Sequence, residues 1–255
     1  QTIDSIINQT YNNWELVIVN DGSTDGTEKI IFDYIDNNIP ITYHKQDNCG
    51  FGAARNKGLA IAKGEWIALI DHDDICLLDR LEIQTKHILE NPKSKLFFAN
   101  TIHFNSQKEI RLQYDRFNPC QLDLRKGKAM NNLLIHGCFI DTESVIFHKN
   151  SALNIGGFNE DYKYIVDADF FKRFGSKYDI FAGKETVAKW RVHSNQATQK
   201  MEKIIFRESI ETFKQYIFYE GVYFKTKLWM IFHILKIFLK WYLKKLNILS
   251  NNIND

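Results

Sequence analysis

Cysteine is sparse: Cys49, Cys76, Cys120 and Cys138 are the four in the chain, far apart and with no C-x-x-C pair. That spacing argues against a zinc site or a disulfide framework and suits a reducing cytosol. A surplus of either charge is also missing. Lys and Arg number 33 and Asp and Glu 31, a net charge of +2, so no overall field draws nucleic acid or another polyanion. No uninterrupted apolar run approaches the ~20 residues that span a bilayer. Internal repeats and low-complexity stretches are absent too. What is left is globular material of 255 residues, 44% apolar, enough for one large domain or one domain with an appendage. An initiator Met is lacking as well. The chain opens on Gln1, with Ile3, Ile6 and Ile7 already at helical spacing, so a preceding segment is expected.

The stretch with the densest chemistry is WIALIDHDD, residues 66–74. Residues 66–70 suit a buried strand. Asp71, His72, Asp73 and Asp74 follow at once, so the carboxylates sit just past the strand's C-terminal end, where open α/β sheets bind ligands. Acids packed this closely repel one another unless a cation or hydrogen-bond donors hold them. Oxygen ligands of this kind suit Mg²⁺ or Mn²⁺, shared with substrate phosphates. The same residues also make an ordinary acidic turn, with Asp74 or Asp79 starting the next helix.

Along the chain, 2–9 reads as the end of a helix and 14–20 (WELVIVN) as a buried strand. DGSTDGT at 21–27 breaks the pattern, with Thr24 or Asp25 as N-cap of a helix through Ile35. A short strand at 41–44, a loop at 48–52 and a small-residue helix at 53–62 precede the strand at 66–70. A helix over 77–90 ends at Asn91-Pro92. This alternation implies a largely parallel sheet covered by helices. Beyond Pro92, 96–104 is strand-like, 108–128 charged and irregular, and 139–148 a further strand. Gly156-Gly157 turns the chain into a helix over 166–174, and 186–192 is a last strand ending at His193. From 202 onward the pattern is helical.

Together these segments resemble a family-2 glycosyltransferase, of the kind that builds bacterial surface polysaccharides. Four stretches carry the likeness, in family order. IINQTYNNWELVIVNDGSTDGT (6–27) holds the second carboxylate of the family's DDGSTD as Asp21, with Asn20 in place of the first. NCGFGAARNKGLAIAKG (48–64) is similar to N-x-G-x-x-x-A-R-N-x-G, and LIDHDD (69–74) to D-x-D-D. GGFNEDYKYIVDADFFKR (156–173) is similar to G-G-F-D-E…D-x-D-L-x-x-R. The likeness covers about residues 1–195. It implies an inverting, metal-dependent enzyme of α/β GT-A fold, a Rossmann-like, mostly parallel sheet flanked by helices. That domain would occupy 1–200, followed by a basic-apolar helical tail over 201–255. The family opens with a strand carrying P-x-Y-N, so the resemblance implies a truncated N-terminus and the loss of a central strand.

The resemblance also implies roles. A nucleotide-diphosphate sugar, most often a UDP-sugar, lies across the sheet edge, and Asp21 accepts a hydrogen bond from its base; the bland alternative is that Asp21 only closes the turn. Arg55 either meets the nucleotide or braces the acidic loop through Asp71 or Asp73. Asp71 contacts the ribose or the water shell of the metal, and Asp73 ligates Mg²⁺ or Mn²⁺, which acts as a Lewis acid on the leaving diphosphate. His72 has no role, and Asp74 caps a helix. An acceptor hydroxyl needs a carboxylate to take its proton. Asp167 aligns with that base and Asp169 with a structural carboxylate, although Val166 stands where an acid or serine is usual. His193, ending Trp190-Arg191-Val192-His193, is a third metal ligand, a diphosphate contact or a structural histidine. His136 belongs to the acceptor half.

The tail is the second informative stretch. Between 221 and 254 there are six lysines, at 225, 227, 236, 240, 244 and 245, and no acid. Trp229, Phe232, Leu235, Phe238, Leu239, Trp241 and Tyr242 fill the positions around them. Such a helix either lies in the membrane interface or packs on protein. The first reading makes the protein cytoplasmic and peripheral at the inner face of the cytoplasmic membrane, beside a glycan or lipid-linked acceptor. Two other classes compete: a non-catalytic nucleotide-sugar-binding or scaffold protein of the same fold, and a sugar nucleotidyltransferase, which needs a Gly-rich phosphate loop.

Overall fold

The computed structural model describes residues 1–37, 39–194, 196 and 202–245, as backbone only at 202, 203 and 237–245. The first half follows the expected alternation. Helix α1 (Thr2–Ile7) leads to strand β1 (Leu16–Asp21), α2 (Thr27–Asp36), β2 (Ile41–Gln46) and α3 (Phe51–Ile61). Short strands β3 (Trp66–Ala68) and β4 (Ile75–Cys76) flank the acidic stretch, and α4 (Arg80–Glu90) follows. Strand β1 ends where Asp21 and Gly22 turn the chain. Gly22 has φ +76°, and a Cβ there would lie 2.8 Å from the backbone nitrogen of Asn48, so the two loops meet at a position only glycine fits.

The second half holds β5 (Ser94–Phe104), β6 (Glu109–Leu112), α5 (Lys128–His136), β7 (Ile146–His148), α6 (Lys149–Asn154), α7 (Val166–Lys177) and β8 (Asp179–Arg191). Helices α8 (Glu202–Ile217) and α9 (Phe224–Lys245) close the described chain. Strands β1 and β2 pair in parallel. A second sheet runs β3-β7-β5-β8-β4, with β6 beside β5. Its long ladder, β5 with β8, is also parallel, while the short pairings are antiparallel. Among the described residues no ladder joins the two sheets.

Strand β5 is buried on both faces, which explains its unbroken apolar run. Leu96 and Phe98 point into the main core with Leu133, Phe147, Phe158, Phe170 and Phe174. Phe97 meets Trp66 and Phe181 on the other face, and Ala99 packs with Val187 near Ile83 of α4. The Phe158 and Phe170 rings stack at 4.2 Å. Each such ring stabilises the fold by about 1.5–3 kcal/mol through burial.

Some expectations need correcting. The 139–148 strand shrinks to the three residues of β7, because Phe139 and Ile140 enter the core from a loop. Strand β8 begins at Asp179, seven residues earlier than its pattern indicated. Helix α5 falls just past the stretch read as irregular, where no element was expected; its Met130, Leu133 and Leu134 are buried against partners that are distant in sequence.

The tail packs on protein along one face. Met130 and Leu134 of α5 cluster with Tyr216 of α8, Val222, and Met230 of α9. Its other face exposes Phe224, Leu228, Phe232 and Leu235. The side chains of Phe238, Leu239, Lys240, Trp241, Tyr242, Lys244 and Lys245 lie outside the described residues. Among the described residues, no helix is long and apolar enough to cross a membrane.

Candidate active site

The four sequence stretches meet in space. Asn56 of α3 donates to the carbonyl of Phe158 at 2.9 Å and accepts from its amide at 2.8 Å, so the second stretch clamps the Gly-Gly-Phe turn of the fourth. Gly52 makes a similar approach: a Cβ there would lie 2.9 Å from the carbonyl oxygen of Asn159. This docking holds the start of α7 against α3.

Arg55 of α3 sits at that junction, with 13% of its side chain exposed. One guanidinium nitrogen lies 3.1 Å from Asp71, and the other binds Asp167 at the start of α7. Of the two readings of Arg55, the ion pair is the observed one; its partners are Asp71 and Asp167, with no contact to Asp73. Burial raises the Asp167 pKa, while Arg55 opposes that rise. Burial and a nearby cation acting in opposite directions are a recognised way to tune a base.

Asp21 ties the end of β1 to the end of β2 and the loop that follows it. Its oxygens accept from Gln46 Nε2 at 2.8 Å, from the Cys49 amide at 2.9 Å and from the Gly50 amide at 2.8 Å. Asn20, in place of the family's acid, is buried and bridges the Ser23 amide and the Tyr43 hydroxyl.

Asp73 Oδ2 lies 2.9 Å from His193 Nε2, across 120 residues of chain. Arg191 fixes that approach: its Nε donates to the Asp73 carbonyl at 2.7 Å, and its guanidinium covers the Phe104 ring at 4.5 Å. Neighbouring ligands of an octahedral Mg²⁺ at 2.0–2.1 Å are roughly 3 Å apart, so this pair fits two positions around one ion. No group of three candidate ligands exists among the described residues, which leaves the remaining positions to water or to a ligand's phosphates. His72 stays out in solvent, 93% exposed.

Asp74 is not a helix cap. It is 1% exposed and accepts from the Arg191 amide at 2.7 Å, because the chain enters β4 before any helix begins. Its other oxygen has no partner, and burial pushes its pKa up to about 8. Asp79 takes the N-cap position of α4 without a side-chain cap bond. Asp169 holds Arg173 Nε at 2.7 Å, and Arg173 binds the carbonyl of Ile155, the structural role expected of it. His136 ends α5 with its ring 4.8 Å from that of Phe117.

Three contributors escaped the sequence reading. Arg80, 1% exposed, donates to the carbonyls of Leu69 and Val145 and so ties the end of the 66–70 stretch to β7's approach. Glu208 of α8 accepts from the amides of Lys163, Tyr164 and Ile165 at 2.8–3.1 Å, ordering the entry to α7. Asp141 is held by the Thr101 hydroxyl at 2.5 Å and by His103 at 3.1 Å. No local motif marks any of these, since their partners are remote in sequence. Arg55, Asp71, Asp73, Asp141 and Asp167 line one cavity of 2290 Å³, together with the residues of β1.

The fold is shared with solved transferases. The mannosyltransferase PcManGT of Pyrobaculum calidifontis, solved with GDP-Man and Mn²⁺, superposes with a TM-score of 0.67 at 19% identity, over 90% of this chain and 63% of that one. Residues 1–349 of S. aureus TarS, solved with UDP-GlcNAc, give 0.63 at 17% identity, over 83% and 61%. These likenesses establish the GT-A fold class.

The sequence model of Glycosyl transferase family 2 matches residues 1–153, and the chain belongs to that family. An uncharacterized glycosyltransferase of Rickettsia typhi is 32% identical over 202 residues, 78% of this chain and 61% of its own length. Bacillus subtilis TuaG, described as a teichuronic acid biosynthesis glycosyltransferase, is 41% identical over 139 residues, 54% of this chain and 53% of its own. The chain thus spans about three fifths of the first relatives that it matches.

Proposed function

We propose that this chain transfers a sugar, with inversion, from a UDP-sugar to a hydroxyl of a glycan or lipid-linked acceptor in surface polysaccharide synthesis. The observation that carries the reading is the Arg55 bridge, which brings Asp71 from the donor side and Asp167 from α7 to one cavity. Asp167 takes the acceptor proton, and Arg55 opposes the rise that burial gives its pKa. Asp71 faces the donor ribose or the metal's water shell. Asp21 shapes the base pocket and offers a carboxylate to the imide of uracil. Asp73 and His193 hold Mg²⁺ or Mn²⁺, which supplies charge neutralisation at the leaving diphosphate when bound. TuaG's description supports the polysaccharide setting, and the UDP-GlcNAc and Mn²⁺ of the two solved transferases support the donor class and the metal.

The tail belongs to this reading. Phe224, Leu228, Phe232 and Leu235 form an exposed stripe on α9, with Lys225, Lys227 and Lys236 on the same helix. A basic helix with an outward apolar stripe suits the anionic inner face of the cytoplasmic membrane, where a lipid-linked acceptor resides.

The test is donor turnover. The protein is incubated with UDP-, GDP- and dTDP-sugars, with Mn²⁺ or EDTA, and released nucleoside diphosphate is followed. Metal-dependent release from one donor, lost in Asp73→Asn, supports the assignment. Absence of both release and metal-dependent donor binding overturns it in favour of a non-catalytic protein.

A further inference from the structure

Glu208 of α8 is 4% exposed, and both of its carboxylate oxygens accept from backbone amides. Oε1 accepts from Lys163 at 2.8 Å, and Oε2 from Tyr164 at 3.0 Å and Ile165 at 3.1 Å. Ile165 is the N-cap of α7 and makes no side-chain cap bond, while its carbonyl accepts from the Asp169 amide at 2.9 Å and so opens the helix ladder. The residue that starts α7 is thus held from another helix, 43 residues further along the chain. Asp167 follows two positions later.

Further contacts tie the same approach to α8. The Tyr162 hydroxyl donates to Gln215 Oε1 at 3.3 Å and accepts from the Thr212 hydroxyl at 3.4 Å. Ile205 packs against the core that contains Ile165, Val166 and Phe170. At the other end of the segment, Asn56 of α3 grips Phe158 and donates to Glu160 at 2.7 Å. A carboxylate buried against amides gives up its water, which only well-placed, charge-assisted hydrogen bonds offset. Such bonds are directional, so they fix position more closely than apolar packing does. The titratable groups facing Asp167 from other elements are Arg55 of α3, Asp71 of the acidic loop and the Cys138 thiol.

We infer that Glu208 is a positioning residue for the transfer step: through the amides of 163–165 it sets where α7 begins, and so where Asp167 stands against Arg55. The inference rests on the transferase reading above. It makes α8 part of the catalytic unit rather than of an appended tail. A misplacement of ~1 Å at a reacting group costs roughly 10²-fold in rate. The donor side is held by other elements, Asp21 by β2 and the loop after it and Asp73 by Arg191. Donor binding is therefore separable from the placement of the base.

The test compares Glu208→Gln and Glu208→Asp with the wild type on the 255-residue protein. UDP with Mn²⁺ is the binding probe, followed by calorimetry. The turnover probe is the UDP-, GDP- or dTDP-sugar that the wild type hydrolyses, with water in place of the acceptor hydroxyl. Glu208→Gln keeps the side chain's volume but turns one acceptor oxygen into a donor that faces amides. It is expected to lower kcat on the order of 10–100-fold while the UDP Kd stays within about twofold. Asp167, less closely opposed by Arg55, then keeps its proton to higher pH, so the acidic limb of the kcat profile moves up by about one unit. Glu208→Asp keeps both oxygens on a shorter stem and restores part of kcat. Should Glu208→Gln fail to fold, Glu208→Asp carries the test, with kcat lowered several-fold and UDP binding unchanged. Wild-type kcat in the variant that folds overturns the inference, as do kcat and UDP affinity falling together with the acidic limb unmoved. Wild-type turnover that survives the substitution sinks only this inference, whereas a wild type with neither donor release nor metal-dependent UDP binding sinks the transferase reading itself.

Discussion

His193 Nε2 lies 2.9 Å from Asp73 Oδ2, joining the end of the last strand to the middle of the acidic loop. Two groups that share one cation would stand in this relation. His193→Gln is therefore expected to raise the Mn²⁺ concentration needed for donor turnover on the order of 10–100-fold. Asp73→Asn should abolish the metal response. Titration of turnover against Mn²⁺ checks both, and an unchanged midpoint in His193→Gln would assign the histidine a purely structural role.

Arg55 compensates two acids at once, so Arg55→Ala should cost about 3–5 kcal/mol, as expected when one partner of a buried pair is removed. For a chain of this size that is a Tm loss of roughly 10 °C. Arg55 also opposes the upward push of burial on Asp167. Without it the acidic limb of the pH–rate profile must move to higher pH, since the base then holds its proton longer. Arg55→Lys should recover part of the stability but little of the rate, because one ammonium cannot serve Asp71 and Asp167 as a planar fork does.

Glu143 is 3% exposed, has one oxygen without a partner, and is pushed well above the usual carboxylate range by burial, with Asp141 and Asp74 adding to the shift. A raised native pKa means that the folded chain keeps a proton the unfolded chain releases above about pH 4.3. Stability then falls as pH rises from that point toward the native pKa. Thermal melts of Glu143→Gln across pH 5 to 8 should show a flatter decline than wild type. Parallel curves would remove Glu143 from the account.

Asn56 satisfies both backbone groups of Phe158, a residue 2% exposed. Asn56→Ala leaves them unpaired, at about 1–3 kcal/mol each. Denaturant unfolding should show that loss, and turnover should fall with it because the Phe158 turn leads into the helix carrying Asp167.

The exposed stripe of α9 predicts binding to vesicles containing anionic lipid in preference to neutral ones. Phe224→Ser with Phe232→Ser should weaken cosedimentation on the order of tenfold, and high salt should weaken it in the wild type. Equal pelleting of wild type and double variant would place membrane contact elsewhere.

Much of the fold's first half was legible in the sequence because its signals are local. Strands β1 and β2 and helices α2 and α3 follow from apolar runs and turn residues within one window, and Gly22 marks its turn directly. The acidic stretch announced itself by composition alone. What sequence could not decide is which of these charges pair. Whether Arg55 braces the loop or stays free for a ligand depends on Asp167 standing 112 residues away. Asp74 looked like a cap until the Arg191 amide, 117 residues on, proved to be its partner. The hold of Glu208 on α7 and the emergence of α5 both arise from segments packing over one another, a long-range energy that no local window contains. Local periodicity and turn chemistry determined the elements; desolvation and ion pairing between distant segments decided the site.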